Sequence, residues 1–374
     1  MKMGKAIVSS IREKDVENAD DILHTAGNII RNGGTVVFPT ETVYGLGANA
    51  LDPKASKKIF KAKGRPLDNP LIVHISNERM LYDIVRDVSE DAKLLMQKYW
   101  PGPLTLIFYK TDLVPGETTG GLETVAVRMP SNKIANRLIE EAGVPIAAPS
   151  ANISGRPSIT KGRHAVEELA ERVDMIILSE DSEIGIESTV VDMTTRLPIV
   201  LRPGKIGQTD ILHTISKDEA DLLQKLKEFE ELTDSKVADR ASPKSPGMKY
   251  RHYSPNAHVF LMQKEDILKC LELRKQKNEE TGEIIGSLQL ALNSLDDNKI
   301  KVFTTDENRL CYGSFGVSLG KDGEQIGKNL FSFLREMDEL GVEIIFCEEF
   351  GSEEPSEFLS AVMNRIRKAA ENID

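Results

Sequence analysis

The chain reads as an α/β protein of two domains, the first built on a mixed, twisted sheet and the second on a smaller parallel one. Three observations predict this. Its 374 residues exceed what one typical core organises. Helical and extended patterns interleave up to about residue 205, with more strands than simple βαβ alternation supplies. After a stretch rich in Pro, Gly and Ser, strand and helix patterns alternate again from residue 257.

The elements follow in order. Ile22, Leu23, Ala26, Ile29 and Ile30 have helical spacing within 15–32, closed by "NGG". "TVVFP" (35–39) is a short buried strand. "DPKASKKIFKAKG" (52–64) is a helix with Asp52 as cap, Pro53 in the first turn and Gly64 past the end. "PLIVHI" (70–75) is a strand with Leu71, Val73 and Ile75 on one face and Ile72 and His74 on the other. A helix over 89–103 breaks at Pro101, and "LTLIFY" and "TVAVRMP" are strands. A helix covers about 131–142, "VPIAAPSAN" is a strand stopped by Pro149, and a further helix spans about 160–172. "DMIILSED" continues the pattern, and "STVVDM" and "PIVLRPG" form a pair of strands. The expected division is a first domain at 13–206, a linker at 207–256 and a second domain at 257–374. The linker holds Lys249, Tyr250, Arg251, His252 and Tyr253 in one run, which a bland spacer does not need.

Composition narrows the function. A formal net charge of −11 argues against non-specific coating of nucleic acid. Cys270, Cys311 and Cys347 are too few and too scattered for a disulfide framework or a zinc site. No run approaches the roughly 18 apolar residues of a membrane span, so a cytoplasmic, membrane-free protein is expected. There is no Walker A loop, no Rossmann G-x-G-x-x-G and no H-E-x-x-H.

What remains is a set of polar clusters at strand ends, where α/β folds bind ligands. "FPTETVYGLG" (38–47) gathers Thr40, Glu41, Thr42 and Tyr44, with Gly45 and Gly47 allowing tight backbone. At and just before "FKAKGRPLDNPLIVHI" (60–75), Lys57, Lys58 and Lys61 suit a helix C-terminus. Arg65 differs, because it lies beyond Gly64 and is pinned before Pro66, where a planar guanidinium suits a phosphate or carboxylate. "AVRMPSN" supplies Arg128, for which a salt bridge is the competing role. "APSANISGRPS" supplies Ser150, Asn152, Ser154, Arg156 and Ser158, and the segments at 185–192 and 200–207 supply Ser188 and Arg202. Arg65, Arg128 and Arg202 with Lys63, many hydroxyls and no acid–base dyad point to an anionic ligand such as a triphosphate. Chemistry there would rest on positioning and charge stabilisation.

Together, "FPTETVYGLG", "KAKGRPLDNPLIVH", "AVRMP" and "APSANISGRPS" resemble the YrdC-like domain, and "SPGMKYRHYSP" followed by an α/β tail resembles the long, two-domain L-threonylcarbamoyladenylate synthases. The resemblance covers nearly the whole chain. It implies a YrdC-like twisted open-sandwich followed by a Rossmann-like parallel domain. It also implies a nucleotidyltransferase that joins L-threonine, bicarbonate or CO2 and ATP, releases pyrophosphate, and hands its product to a tRNA threonylcarbamoyl transferase. By motif, Lys63 and Arg65 with Ser150 and Asn152 are expected at the nucleotide phosphates, with Lys63 and Arg65 catalytic. Asn69, Thr124, Ser158 and Arg202 are expected on ATP. Thr40 or Thr42, His74, Arg128, Ala148 and Ser188 are expected on threonine. Tyr250, His252 and Tyr253 become lid residues over the site, with Tyr250 and His252 on ATP. Mg2+ would accompany ATP, with no protein metal ligands assigned. The competing reading is a tRNA or double-stranded RNA-binding module without ATP turnover, since a concave basic face could hold tRNA directly.

Overall fold

A computed structural model describes residues 5–235, 253–276, 288, 291–350 and 356–371. It divides into two compact units, the first running to Ser154 and again from Ser158 into the linker, the second taking Gly155–Pro157 and the C-terminal part.

The first unit carries ten strands: β1 (Ile7–Ser10), β2 (Val36–Phe38), β3 (Gly45–Asn49), β4 (Ile72–His74), β5 (Leu104–Tyr109), β6 (Thr124–Arg128), β7 (Ile146–Ala147), β8 (Met175–Leu178), β9 (Thr189–Asp192) and β10 (Ile199–Arg202). They lie in the order β1-β8-β2-β3-β7-β4-β6-β5-β9-β10. β4 and β6 are parallel, β5 runs antiparallel to β6, and β5 and β9 are parallel. The sheet is therefore mixed, as the excess of strands predicts.

Its two faces are covered differently. On one, Val73, Leu104, Leu106, Val127 and Ile176 meet the helices Pro53–Lys63, Glu90–Tyr99 and Gln208–Ile215 through Ile59, Leu95 and Ile211. On the other, the helices Asp20–Arg31 and Lys133–Ala142 pack together over Val36, Phe38, Ile146 and Met175. β4, β6, β5 and β9 place Ile72, Ala126, Ile107 and Val190 in a separate small patch, joined by Leu201, to which no helix contributes. Leu71, Val73 and Ile75 do lie in the large core while Ile72 turns away, as strand alternation requires.

Local signals explain the helix Pro53–Lys63. Asp52 accepts a hydrogen bond from the Lys54 amide, and Gly64 closes the helix at φ 63. The structure departs from the sequence expectations in four places. "GLG" is not a loop but the start of β3, where a Cβ on Gly47 would come within 2.7 Å of Ile146 and the Phe38 ring. Close packing, rather than a turn, demands glycine there. The helix Glu78–Ile84, capped by Asn77, was not expected. The first domain begins before residue 13, because β1 pairs with β8. The stretch from 207 opens with the helix Gln208–Ile215, whose Ile211, Leu212 and Ile215 belong to the first core, before the charged helix Glu219–Ser235 that the pattern near 217–232 predicts.

The second unit holds β11 (His258–Met262), β12 (Ile300–Thr304), β13 (Gly316–Ser318) and β14 (Ile344–Glu348) in the order β11-β14-β12-β13, all parallel. Ile267, Leu271, Val302, Ile344 and Phe346 form a core on one face. Glu348, at the end of β14, accepts hydrogen bonds from the Thr304 hydroxyl and, at 2.6 Å, from Asn308 Nδ2. Tyr253 stacks on Phe331 at 5.1 Å and is 6% exposed, so it packs within this unit. Tyr250 and His252 lie outside the described residues.

Candidate active site

Topology gathers the functional side chains at the two ends of β4. β4 and β6 end at His74 and Arg128, which are direct register partners. The antiparallel β5 begins beside them, pairing Thr105 with Arg128, and β9 begins beside β5, pairing Thr189 with Leu104. Four strands thus place His74, Arg128, Thr105 and Ser188 along one edge of the small apolar patch. At the other end of β4, the Ala148 amide bonds to the Ile72 carbonyl, and the loops carrying Lys63–Asn69 and Ser150–Asn152 begin. Two residue rises along β4 separate the ends by roughly 7 Å.

Arg128 is the centre of the first group. It is 4% exposed. Its Nε donates to the Gly102 carbonyl at 3.2 Å and its Nη1 to Thr42 Oγ1 at 2.8 Å. Its Nη2 lies 2.8 Å from Glu41 Oε1 in a buried ion pair and has no further hydrogen-bond partner. Thr40 Oγ1 donates its one proton to the Val43 carbonyl at 2.6 Å, so the 2.9 Å contact between the two threonines is a donation from Thr42 to Thr40. The resulting chain, Arg128 to Thr42 to Thr40 to the backbone, separates the two candidates. Thr42 touches Arg128, whereas Thr40 turns into its own loop.

His74 is 4% exposed, edge-on to Phe38, and its Nδ1 has no partner. Burial, followed by the neighbouring Arg128 charge, holds its pKa down at about 3, so the imidazole is neutral at physiological pH. Burial alone would push the Glu41 carboxyl up. The Arg128 charge and hydrogen bonds, including one from the Ser131 amide, outweigh it and keep Glu41 ionised, below the ordinary carboxylate value. Ser188 Oγ sits 2.7 Å from Thr105 Oγ1 and accepts from Arg202 Nη2 at 3.1 Å. Arg202, expected on the nucleotide, is thereby tied to a residue expected on threonine.

The second group is arranged around Lys63. Its side chain is buried, and Nζ donates to the carbonyls of Ser150 (2.5 Å) and Asn152. Those bonds fold the Ser150–Asn152 loop onto the helix end, with Ser150 Oγ donating to Asn152 Oδ1 at 2.6 Å. Arg65 bends back onto the Asn69 and Pro70 carbonyls at 3.4 and 3.2 Å, and Asn69 is 4% exposed. Thr124 opens β6 at this end, and Ser158 donates to Glu187 Oε1 at 2.6 Å. Sequence reasoning named Glu41 in its cluster without giving it a role, and it missed Thr105 and Glu187. Each has a buried hydrogen-bonding or ionic role; Glu41 stands as the single carboxylate of its motif, whereas Glu187 shares its segment with Asp192.

Comparison with known proteins places the chain in a family. Residues 28–204 match the Sua5/YciO/YrdC family model, described as "Telomere recombination", and residues 219–371 match the model for the threonylcarbamoyl-AMP synthase C-terminal domain. The chain is 42% identical over 366 residues to the threonylcarbamoyl-AMP synthase of Pyrococcus abyssi, covering 97% of each. The chain belongs to the Sua5/YrdC family. The threonylcarbamoyl-AMP synthase of Bacillus subtilis is 38% identical over 95% of both chains. The solved structure of P. abyssi Sua5 complexed with L-threonine superposes with a TM-score of 0.75 at 40% identity, covering 98% of each chain. Among the described residues, no helix of this Sua5/YrdC member is long and apolar enough to cross a membrane.

Proposed function

We propose that this chain is a threonylcarbamoyl-AMP synthase, which condenses L-threonine, bicarbonate or CO2 and ATP and releases pyrophosphate. The observation that carries this reading is the pair of buried atoms without a hydrogen-bond partner at the shared end of β4 and β6, His74 Nδ1 and Arg128 Nη2, the latter held only by its ion pair with Glu41. Buried polar atoms in native proteins are nearly always satisfied, so two side by side fit a polar ligand. The relatives carry the synthase name, and one was solved with L-threonine, which supports the choice of ligand.

In this reading Arg128 takes the threonine carboxylate, with Thr42 and the Gly102 carbonyl fixing the guanidinium. The neutral His74 Nδ1 and the Thr105–Ser188 hydroxyl pair serve the remaining polar groups of the amino acid. Ala148 lies between the two groups, at the Ile72 end of β4. The triphosphate lies along Arg65, Asn69, Ser150, Asn152, Thr124 and Ser158, with Lys63 holding the loop that receives it. Arg202 joins the two halves through Ser188. The amine of threonine combines with bicarbonate, losing water, to give an N-carboxy group. A carbamate oxygen then bonds to the α-phosphorus as the bond to pyrophosphate breaks. The cations near the phosphates offset the charge that gathers on the leaving group. The side chains at the phosphate end are mainly cationic, hydroxyl and amide groups; of the carboxylates nearby, Glu187 is bonded to Ser158, Glu168 accepts the Ile153 amide, and Asp68 lies in the Lys63–Asn69 loop. That donor set fits Mg2+ carried in by ATP and held by phosphate oxygens and water. The product passes to a tRNA threonylcarbamoyl transferase.

The test is pyrophosphate release by purified protein with ATP, Mg2+, threonine and bicarbonate. Release that needs both threonine and bicarbonate is expected. No release, or release indifferent to omitting threonine, contradicts the reading.

A further inference from the structure

The threonine reading leaves the α-ammonium of the substrate without a counter-charge, and the structure offers one. Glu41 is 6% exposed and ionised, yet only one of its oxygens is used. Oε1 takes the Ser131 amide at 3.0 Å and the Arg128 ion pair, while Oε2 is buried without a hydrogen-bond partner. An unused oxygen on a buried carboxylate is costly unless a donor reaches it. The ion pair therefore has an unsatisfied donor at its cationic end, Arg128 Nη2, and an unsatisfied acceptor at its anionic end, Glu41 Oε2. A zwitterionic amino acid presents the complementary pair, carboxylate and ammonium, on adjoining atoms of one carbon.

The surroundings give this pair a direction. Glu41 lines a cavity of about 160 Å3 together with Thr40, Ser131, Glu180, Asp181 and Glu183. Glu13, Glu180, Asp181 and Glu183, four further carboxylates lining that cavity, favour the positive end of a zwitterion there and the negative end towards Arg128. These carboxylates are not a metal cage, since no three of them bring ligand atoms within 4.8 Å of one another.

We propose that Glu41 is a substrate-binding residue whose Oε2 accepts a hydrogen bond from the α-ammonium of threonine while Arg128 takes the carboxylate. The assignment rests on the threonine reading above. It also gives the site a reason to prefer an α-amino acid over the corresponding hydroxy acid.

Calorimetric titration of the full chain with two ligands tests it. One is L-threonine, and the other is the hydroxy acid carrying a hydroxyl in place of the α-ammonium. Glu41→Gln should weaken threonine binding about tenfold or more, the loss of one charge-assisted hydrogen bond, and weaken the hydroxy acid by less than about threefold. Equal weakening of both ligands, or undiminished threonine binding, overturns the assignment and leaves Glu41 as a support for Arg128 alone. Should Glu41→Gln fail to fold, Glu41→Asp keeps the charge but withdraws the carboxylate by one methylene, and the same unequal loss is expected. If the wild-type chain binds no threonine, the threonine reading itself falls and takes the assignment with it. Equal loss in the variant sinks the assignment alone.

Discussion

Glu41 in the first sheet and Glu348 in the second are buried to the same degree, each 6% exposed, and they are used differently. Both oxygens of Glu348 are taken, by the Thr304 hydroxyl and the Asn308 amide, with Lys264 Nζ bonded in turn to Asn308 Oδ1 at 2.7 Å. Glu41 keeps one oxygen unpartnered, beside an arginine with an unsatisfied nitrogen and a histidine with an unsatisfied Nδ1. A buried carboxylate whose oxygens are both bonded inside the fold is part of the scaffold. One left half-open among other half-open groups is a place where a ligand completes the bonding.

The largest effect that this contrast predicts is at Arg128. Arg128→Ala removes the proposed carboxylate partner and leaves Glu41 as an unpaired buried charge. kcat/KM for threonine should fall roughly a thousandfold, about 4 kcal/mol, with the KM for ATP little changed. Steady-state pyrophosphate release measures this, and a fall of less than tenfold would break the contrast. Lys63→Ala comes next. Its ammonium bridges the Ser150 and Asn152 carbonyls, so its loss should loosen that loop and raise the KM for ATP by about tenfold or more, at about 1.5–3 kcal/mol per charged bond.

The scaffold side of the comparison predicts the reverse pattern. Thr304→Val deprives Glu348 of one hydrogen bond and should cost about 1–3 kcal/mol of stability, read as a lower denaturant midpoint, with the KM for threonine unchanged. A raised KM for threonine would erase the distinction between the two carboxylates.

A further prediction concerns pH. His74 in the fold has a pKa near 3, against 6.5 for the ordinary side chain. Between those values the unfolded chain binds a proton that the folded chain does not, so stability rises with pH across this window and declines as pH falls from about 6.5 towards 3. His74→Gln should flatten that slope in acid denaturation curves. An unchanged slope would mean that His74 is not held neutral.

How much of this was legible in the sequence depends on the range of the interaction. Asp52 and Gly64 mark their helix because capping acts within a few residues. The turning of Ile72 and His74 away from the Leu71–Val73–Ile75 face follows from strand alternation alone. β3 was hidden because Gly45 and Gly47 read as turn residues, while the reason for Gly47 is the crowding of Phe38 and Ile146, one of them about a hundred positions distant. The helix Glu78–Ile84 is only seven residues long, too short for a clear period. The motifs identified the site's neighbourhood but not its wiring. Arg128 meets Thr42 across 86 positions, and Lys63 meets the Asn152 carbonyl across 89. The pairings of β4 with β6 and β7, of β3 with β7 and of β5 with β6 bring such residues together, and nothing local specifies them.

The most direct measurement is a crystal structure of the full chain grown with L-threonine. The account predicts the amino acid at the shared end of β4 and β6, its carboxylate within hydrogen-bond distance of Arg128 and its polar atoms reaching His74 Nδ1. Threonine bound elsewhere, with Arg128 Nη2 and His74 Nδ1 still unpartnered, would contradict it.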